Sequence, residues 1–128
     1  VALADARKGI AMFTGDKVNV PILGLVENMA WFTPAQHPDE RYYIFGREGG
    51  VRLAQELGVK LLAQIPLVAG ICGRADSGTP VTLAADGEGI DTANPEAQAF
   101  AALADAVDEA VRSRNSDLPP TRVVQTHK

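Results

Sequence analysis

The side chains that could do chemistry in this sequence are few and widely spaced. The only cysteine is Cys72, and the two histidines are His37, in a proline-flanked stretch, and His127, near the carboxyl terminus. A lone cysteine beside an isoleucine is typical of a small buried hydrophobe, and an isolated loop histidine is typical of a solvated side chain. No Ser/His/Asp or Cys/His set has the arrangement of a nucleophilic site. We therefore predict neither hydrolase chemistry of those types nor a metal ligand at Cys72 or His37.

A glycine-rich segment at residues 46–50 suggests phosphate binding but lacks the residues that this chemistry needs. A P-loop, G-x-x-x-x-G-K-[ST], places a lysine and a hydroxyl directly after its glycines, where they reach the phosphates and Mg²⁺. Val51 and Arg52 occupy those places here, and the motif occurs nowhere else in the chain. We therefore expect the chain to be unable to hydrolyse ATP on its own.

Hydrophobic periodicity predicts helices that alternate with short strands. Apolar runs predict strands at residues 18–27 and 60–66, and 3.6-residue spacing predicts helices at 3–13, 46–57, 68–76 and 95–111. Asn94 followed by Pro95 is typical of a helix N-cap and first helical position. A strand that is apolar throughout and follows a helix is typical of a parallel sheet. The order of elements predicts an α/β layered architecture, with two strands forming part of a larger sheet.

Composition and charge narrow the functional class. The chain has 128 residues, 46% of them hydrophobic, and a formal net charge of -4. This acidic balance argues against nonspecific nucleic-acid binding, which needs a basic surface. One cysteine excludes an intrachain disulfide framework and favours a cytoplasmic location, and no apolar run approaches the ~20 residues of a membrane span. Because the chain starts at Val1 without features of a leader, we interpret it as a piece of a longer polypeptide.

Four short motifs occur in a fixed order and spacing. They are VALADARKGI at residues 1–10, GLVENM at 24–29, YIFG with two later glycines at 43–50, and QIPL at 64–67. Together they resemble the carboxyl-terminal half of the Mrp/ApbC-type P-loop ATPases, relatives of MinD and ParA that act as scaffolds or carriers in iron–sulfur cluster assembly. The resemblance implies a three-layer α/β/α fold of the MinD type and ATP with magnesium as the cofactor. It also implies that the Walker A loop lies upstream of Val1.

The same resemblance implies the domain boundaries. Residues 1–112 would form the carboxyl-terminal half of such an ATPase domain. Residues 113–128 are polar and contain prolines, so we predict a poorly ordered tail there.

Asn28 directly follows the first predicted strand, at the edge where open α/β sheets bind ligands. From the residues alone, its simplest role is to cap a turn. Its carboxamide could also pair with a ring nitrogen and the amino group of adenine, and this is the role that the resemblance implies. The resemblance likewise implies that Pro66 and Leu67 flank the base, although Pro66 could equally be a rigid turn. Glu27 and Met29 are expected to shape the loop.

The loop after Met29 departs from the family pattern. Family members that carry a bridging cluster have C-x-x-C there, and Thr33 and Gln36 occupy these positions here. Iron–sulfur clusters need thiolates, which hydroxyl and amide groups do not replace. Two hypotheses follow. The chain is part of an ATP-binding cluster carrier, or it belongs to a nucleotide-dependent scaffold or partner-binding protein of the same fold that carries no cluster.

Aromatic residues gather around the same loop, and a charged pair lies further along the chain. The aromatic set could be a small core beneath the loop or, as the resemblance implies, a homodimer surface over residues 31–45. The resemblance also implies iron–sulfur client proteins as partners. Arg74 and Asp76 are interpreted as a solvated helix face, with pairing to each other or stabilisation of a partner loop as alternatives. The aromatic set comprises Trp31, Phe32, Tyr42, Tyr43 and Phe45.

Overall fold

The computed structural model describes residues 1–84 and 87–119. The side chains of Ile71 and Cys72 and all of residues 120–128 lie outside this description, so the interpretations of Cys72 and His127 stay predictions. The described residues alternate between helix and strand as predicted. Their elements are α1 (Ala2–Thr14), β1 (Leu25–Thr33), α2 (Gly49–Leu57), β2 (Leu61–Val68), α3 (Ile71–Asp76) and α4 (Pro95–Asp117).

The two strands pair in parallel, which confirms the α/β architecture predicted from the sequence. The register places Leu25 opposite Leu61, shifts by one residue, and then runs from Val26 opposite Ala63 to Asn28 opposite Ile65. It then breaks and resumes with Phe32 opposite Leu67. Three residues of β1 therefore lie opposite Pro66 alone, and this bulge is the main irregularity of the sheet.

The first strand lies further along the chain than its apolar run predicts. Residues 18–24 form a connection instead of a strand, in which the N–H of Val20 donates to the carbonyl oxygen of Phe13 at 2.7 Å. Val18 and Val20 are 55% and 44% exposed, so their apolar character does not reflect burial. Pairing begins where the N–H of Leu25 donates to the carbonyl oxygen of Lys60. Hydropathy identifies the apolar run, but it does not predict the residue at which pairing with the second strand begins.

A small apolar core lies where the helices meet the sheet. Helix α2 packs against β1, and α4 packs against β2. Helix α1 buries none of its residues and is joined to α2 by an ion pair in which Arg7 Nη2 lies 2.6 Å from Glu56 Oε2. The buried apolar residues come from both strands and from α2 and α4 and include Ala30, Leu53, Ala54, Ile65, Pro66 and Ala97.

The predicted helix ends are confirmed at two positions and extended at a third. Asn94 Oδ1 accepts from the N–H groups of Glu96 and Ala97, and Gly58 ends α2 with a φ of 65°. Helix α4 runs to Asp117, five residues beyond the boundary at 112. Its polar last turns extend an existing helix, which needs no new nucleation, and Arg112 pairs with Asp108 one turn earlier at 2.9 Å. Within the described ranges, no helix has the length and apolar character needed to cross a membrane.

Candidate functional site

A groove opens between α1, β1 and α2. Its volume is about 430 Å³. Leu3 and Leu53 supply apolar walls, Arg47 and Arg52 supply positive charge, and Asn28 lines the groove from β1. The groove therefore combines apolar surface with a few polar groups, which is the usual make-up of a small-molecule site.

Asn28 lies inside β1 and not after it, because the strand continues to Thr33. Its side chain is exposed, and its Oδ1 accepts a hydrogen bond of 2.9 Å from the N–H of Met29. Met29 has a φ of 52°, which is rare for a residue with a side chain. This local bond matches the turn-capping interpretation of Asn28. It also orients the amide, since only an oxygen can accept from an N–H, and it leaves Nδ2 without a partner among the described residues.

Pro66 does not end β2 as predicted, since the strand continues to Val68. A proline breaks a sheet because it cannot donate a ladder hydrogen bond. Pro66 has no register partner, because it lies opposite the bulge in β1. Its missing N–H therefore costs no bond there.

Asn28 and Pro66 lie close to each other in the register of the two strands, and each lines a different cavity. Asn28 lies opposite Ile65, the residue before Pro66. Pro66 is buried and lines a separate cavity of about 290 Å³ together with Trp31. Leu67 lies opposite Phe32 and is half-buried. A flanking role for Pro66 and Leu67 therefore stays a prediction.

The two residues that the resemblance places at cysteine positions are not thiolates in the structure either. Thr33 is 3% exposed at the end of β1, whereas Gln36 is exposed in the following turn. His37 is also exposed and lies 3.7 Å from Glu40. Within the part of the chain that the structure describes, no group of three or more His, Cys, Asp or Glu side chains could hold a metal ion. The donor set present in this loop therefore does not fit an iron–sulfur cluster.

The aromatic loop is ordered by stacking between rings and guanidinium groups. The rings of Trp31 and Tyr43 have centroids 6.2 Å apart and are tilted by 57°. Arg41 lies over Trp31 at 4.1 Å, and Arg47 lies over Tyr43 at 4.6 Å. Phe45 is 72% exposed, so this loop is not simply a small core. Its part in a homodimer stays a prediction.

Arg74 is not part of a solvated helix face. Its Nη2 donates to the carbonyl oxygens of Leu83 at 2.6 Å and Pro80 at 3.2 Å. Its Nη1 lies 3.8 Å from Asp91. Arg74 thus fastens the segment after α3, which is the loop-stabilising alternative considered from the sequence.

Sequence reasoning assigned Glu27 no more than a part in shaping the loop, and the structure gives it specific contacts. Gln64 Nε2 donates to Glu27 Oε2 at 2.8 Å in a half-buried position. The two residues lie opposite each other in the register. A polar residue inside each of two adjacent apolar strands was the signal available in the sequence.

Comparison with known proteins identifies the family. A model of the family described as NUBPL iron-transfer P-loop NTPase matches residues 1–108. An Arabidopsis thaliana protein named as an iron-sulfur protein required for NADH dehydrogenase is 52% identical over 87 residues, covering 68% of this chain and 27% of the relative. The iron-sulfur cluster transfer protein NUBPL of Mus musculus is 39% identical over 115 residues, covering 88% of this chain and 33% of the relative.

An iron-sulfur cluster carrier protein of Aquifex aeolicus is 33% identical over 114 residues, covering 89% of this chain and 29% of the relative. The chain thus spans between about a quarter and a third of the length of these relatives. Most of its residues match the family model, which confirms the resemblance to the Mrp/ApbC-type proteins. This chain belongs to the NUBPL iron-transfer P-loop NTPase family.

Proposed function

We propose that this chain is part of a longer ATP-binding iron–sulfur cluster carrier or assembly ATPase, here called the parent protein, and forms the base-recognition side of its nucleotide site. The family match and the names of the relatives support the cluster-carrier part. The share of those relatives that the chain covers supports a longer parent. The P-loop would then belong to another part of the parent protein.

Asn28 is the observation that carries the base-recognition proposal. Its exposed amide presents two N–H donors on Nδ2, and Oδ1 keeps a second lone pair beside the bond from Met29. Adenine offers a ring nitrogen that accepts and an adjacent amino group that donates. Asn28 can therefore satisfy both groups of adenine without breaking its own contact with the backbone. When bound, ATP with magnesium would supply the phosphoryl chemistry.

The remaining proposals concern partners. A homodimer through residues 31–45 is supported by the exposure of Tyr42, Ile44 and Phe45, which are between 51% and 72% exposed. Aromatic side chains at such positions are enriched at interface cores. Iron–sulfur client proteins are proposed as further partners on the strength of the relatives' names.

A second function is favoured by Thr33 and Gln36. The buried hydroxyl and the exposed amide do not replace two thiolates. The parent protein would then be a nucleotide-dependent scaffold or partner-binding protein that carries no cluster. Anaerobic reconstitution with iron and sulfide separates the two functions. Stoichiometric cluster with visible absorbance supports the carrier, and its absence supports the scaffold.

Nucleotide titration of the parent protein tests the base-recognition proposal. ATP, GTP and ITP share their phosphates and differ in the base. We expect ATP to bind several-fold more tightly than ITP. The base of ITP has a carbonyl group in place of the adenine amino group, so it offers no hydrogen bond for Oδ1 to accept. Equal affinity for the three nucleotides would contradict the proposal.

A further inference from the structure

Glu27 is held on one side by the neighbouring strand. Gln64 Nε2 donates to Glu27 Oε2 at 2.8 Å, and the two residues face each other one step before the register breaks. Because the bond is half-buried and involves a carboxylate, it is stronger than an exposed bond between neutral groups. It links β1 to β2 directly beside Asn28.

Glu27 is held on its other side by helix α2. A Cβ placed on Gly50 would lie 2.7 Å from Glu27 Oε2 and 2.9 Å from Glu27 Cβ. Only glycine therefore allows the first turn of α2 to lie this close to Glu27. A carboxylate at this end of a helix is also favoured by the helix dipole. Glu27 is thus enclosed between a strand and a helix.

Asn28 lies between this fixed residue and a strained one. Met29 has a φ of 52°, a backbone conformation that persists only where its surroundings enforce it. The Asn28–Met29 hydrogen bond holds the first residue of the bulge, and the Glu27–Gln64 bond holds the paired strand just before it. The orientation of the Asn28 amide therefore depends on both contacts.

From these contacts we infer that Glu27 is a positioning residue, which sets the bulge that aims the Asn28 carboxamide at a purine base. The inference rests on the proposed role of Asn28 in base recognition. Glu27 lines the same groove as Asn28, but its Oε2 accepts from Gln64, so in this inference it acts through Asn28 and not by direct contact with the nucleotide. Its removal should change the selectivity for the base more than the affinity for the shared phosphates.

The test compares Glu27→Ala with Glu27→Gln in the parent protein. Glutamine keeps an oxygen that accepts from Gln64, whereas alanine removes it. We expect Glu27→Ala to lower the preference for ATP over GTP about fivefold to tenfold and Glu27→Gln to retain most of it. Glu56→Ala is the matched control, because it removes an exposed glutamate that pairs with Arg7; it should leave the preference unchanged.

A double-mutant cycle shows whether Glu27 acts through Asn28. If it does, Glu27→Ala has no further effect on base preference in an Asn28→Ala background. A full additional loss in that background would overturn the inference, as would an unchanged preference in Glu27→Ala alone. If Asn28→Ala itself leaves the preference unchanged, the proposed function fails and the inference fails with it. If only Glu27→Ala is silent, the inference alone fails.

A second variant covers the case in which Glu27→Ala does not fold. Gln64→Met keeps the length of the side chain and removes its donor, so that Glu27 loses its partner while its carboxylate stays. We expect the same direction of change in base preference, with a smaller size. A folded Gln64→Met protein with unchanged preference would overturn the inference.

Discussion

The N–H of Met29 donates to Oδ1 of Asn28 at 2.9 Å, at the point where β1 bulges away from β2. This bond is the turn-capping contact, and it leaves the proposed contact with a base possible. The oxygen holds the backbone of the bulge, while Nδ2 of this exposed side chain has no partner among the described residues. Pro66 fits into the opposite strand because the bulge requires no ladder bond from it.

Gly24 is predicted to tolerate no side chain. A Cβ there would lie 2.5 Å from Leu62 Cγ and 2.7 Å from the carbonyl oxygen of Lys60. Because the backbone oxygen cannot move aside cheaply, Gly24→Ala should lower the free energy of unfolding of the parent protein by about 1–3 kcal/mol.

Gly9 supplies the matched control for that change. It lies inside α1, and an added Cβ meets nothing within 4 Å. Gly9→Ala should raise the free energy of unfolding by about 0.5–1 kcal/mol, because alanine loses less backbone entropy in a helix. Urea unfolding of both variants checks the pair. Equal effects of the two substitutions would contradict the close approach at Gly24.

Asn94 is predicted to stabilise the start of α4. Its Oδ1 accepts from two N–H groups that the helix cannot satisfy internally. Asn94→Ala should therefore lower the free energy of unfolding by about 1 kcal/mol. Asn115→Ala is the control, since Asn115 lies exposed near the other end of the same helix, and it should be neutral or slightly stabilising. Thermal unfolding distinguishes the two variants.

Glu96 is predicted to make stability fall as the pH rises. It is 1% exposed, and its Oε2 is buried without a hydrogen-bond partner. Burial raises the pKa of Glu96 above its ordinary value of 4.5. Between the two pKa values the folded state keeps a proton that the unfolded state releases. The contribution of Glu96 to the free energy of unfolding is therefore fully present below pH 4.5 and is lost as the pH rises through the pKa of the folded state.

Glu96→Gln should remove that dependence. The neutral amide avoids the burial of a charge, so we expect the variant to unfold about 2–4 °C higher at pH 7 and to match the unmodified protein at pH 4. Glu109→Gln, at an exposed position of the same helix, should change neither value. A Glu96→Gln variant that is less stable at pH 7 than the unmodified protein would show that the carboxylate is ionised and satisfied.

Arg74 is predicted to hold the segment between α3 and α4 in place. It donates to the carbonyl oxygens of Pro80 and Leu83 and lies near Asp91. Arg74→Lys keeps the charge but cannot reproduce the forked geometry, so amide hydrogen exchange at residues 79–84 should become about tenfold faster. Arg112→Ala, which removes an exposed helical ion pair, should leave exchange there unchanged. No change in Arg74→Lys would contradict the role of the guanidinium.

The order of elements could be predicted from the sequence because each has a local signal. Asn94 followed by Pro95 marked the start of α4, and Gly58 marked the end of α2. The start of β1 could not be predicted, because it depends on the position of the Lys60 carbonyl oxygen, which accepts a hydrogen bond from the N–H of Leu25. An apolar segment without a partner strand stays a connection, as residues 18–24 show.

The sequence could single out Asn28, which lines the groove, but it could not predict the local geometry around it. Asn28 was singled out by its place after an apolar run and by the family resemblance. The bulge was not foreseen, because a positive φ at Met29 has no local signal such as a glycine. The contacts of Glu27 with Gln64 and Gly50 join residues far apart in the chain. A polar residue inside each apolar run marks Glu27 and Gln64 as unusual, but it does not indicate that they meet or that Gly50 lies against Glu27.

The base preference of Asn28 variants tests the central claim most directly. Asn28→Asp keeps an oxygen for the N–H of Met29 and replaces the Nδ2 donor with an acceptor, whereas Asn28→Ala removes both. Competition between ATP and GTP on the parent protein should show a loss of at least about fivefold in ATP preference for both variants. Gln55→Ala, an exposed amide on α2, should show none. An undiminished preference for ATP in both folded Asn28 variants would contradict the assignment of Asn28 to base recognition.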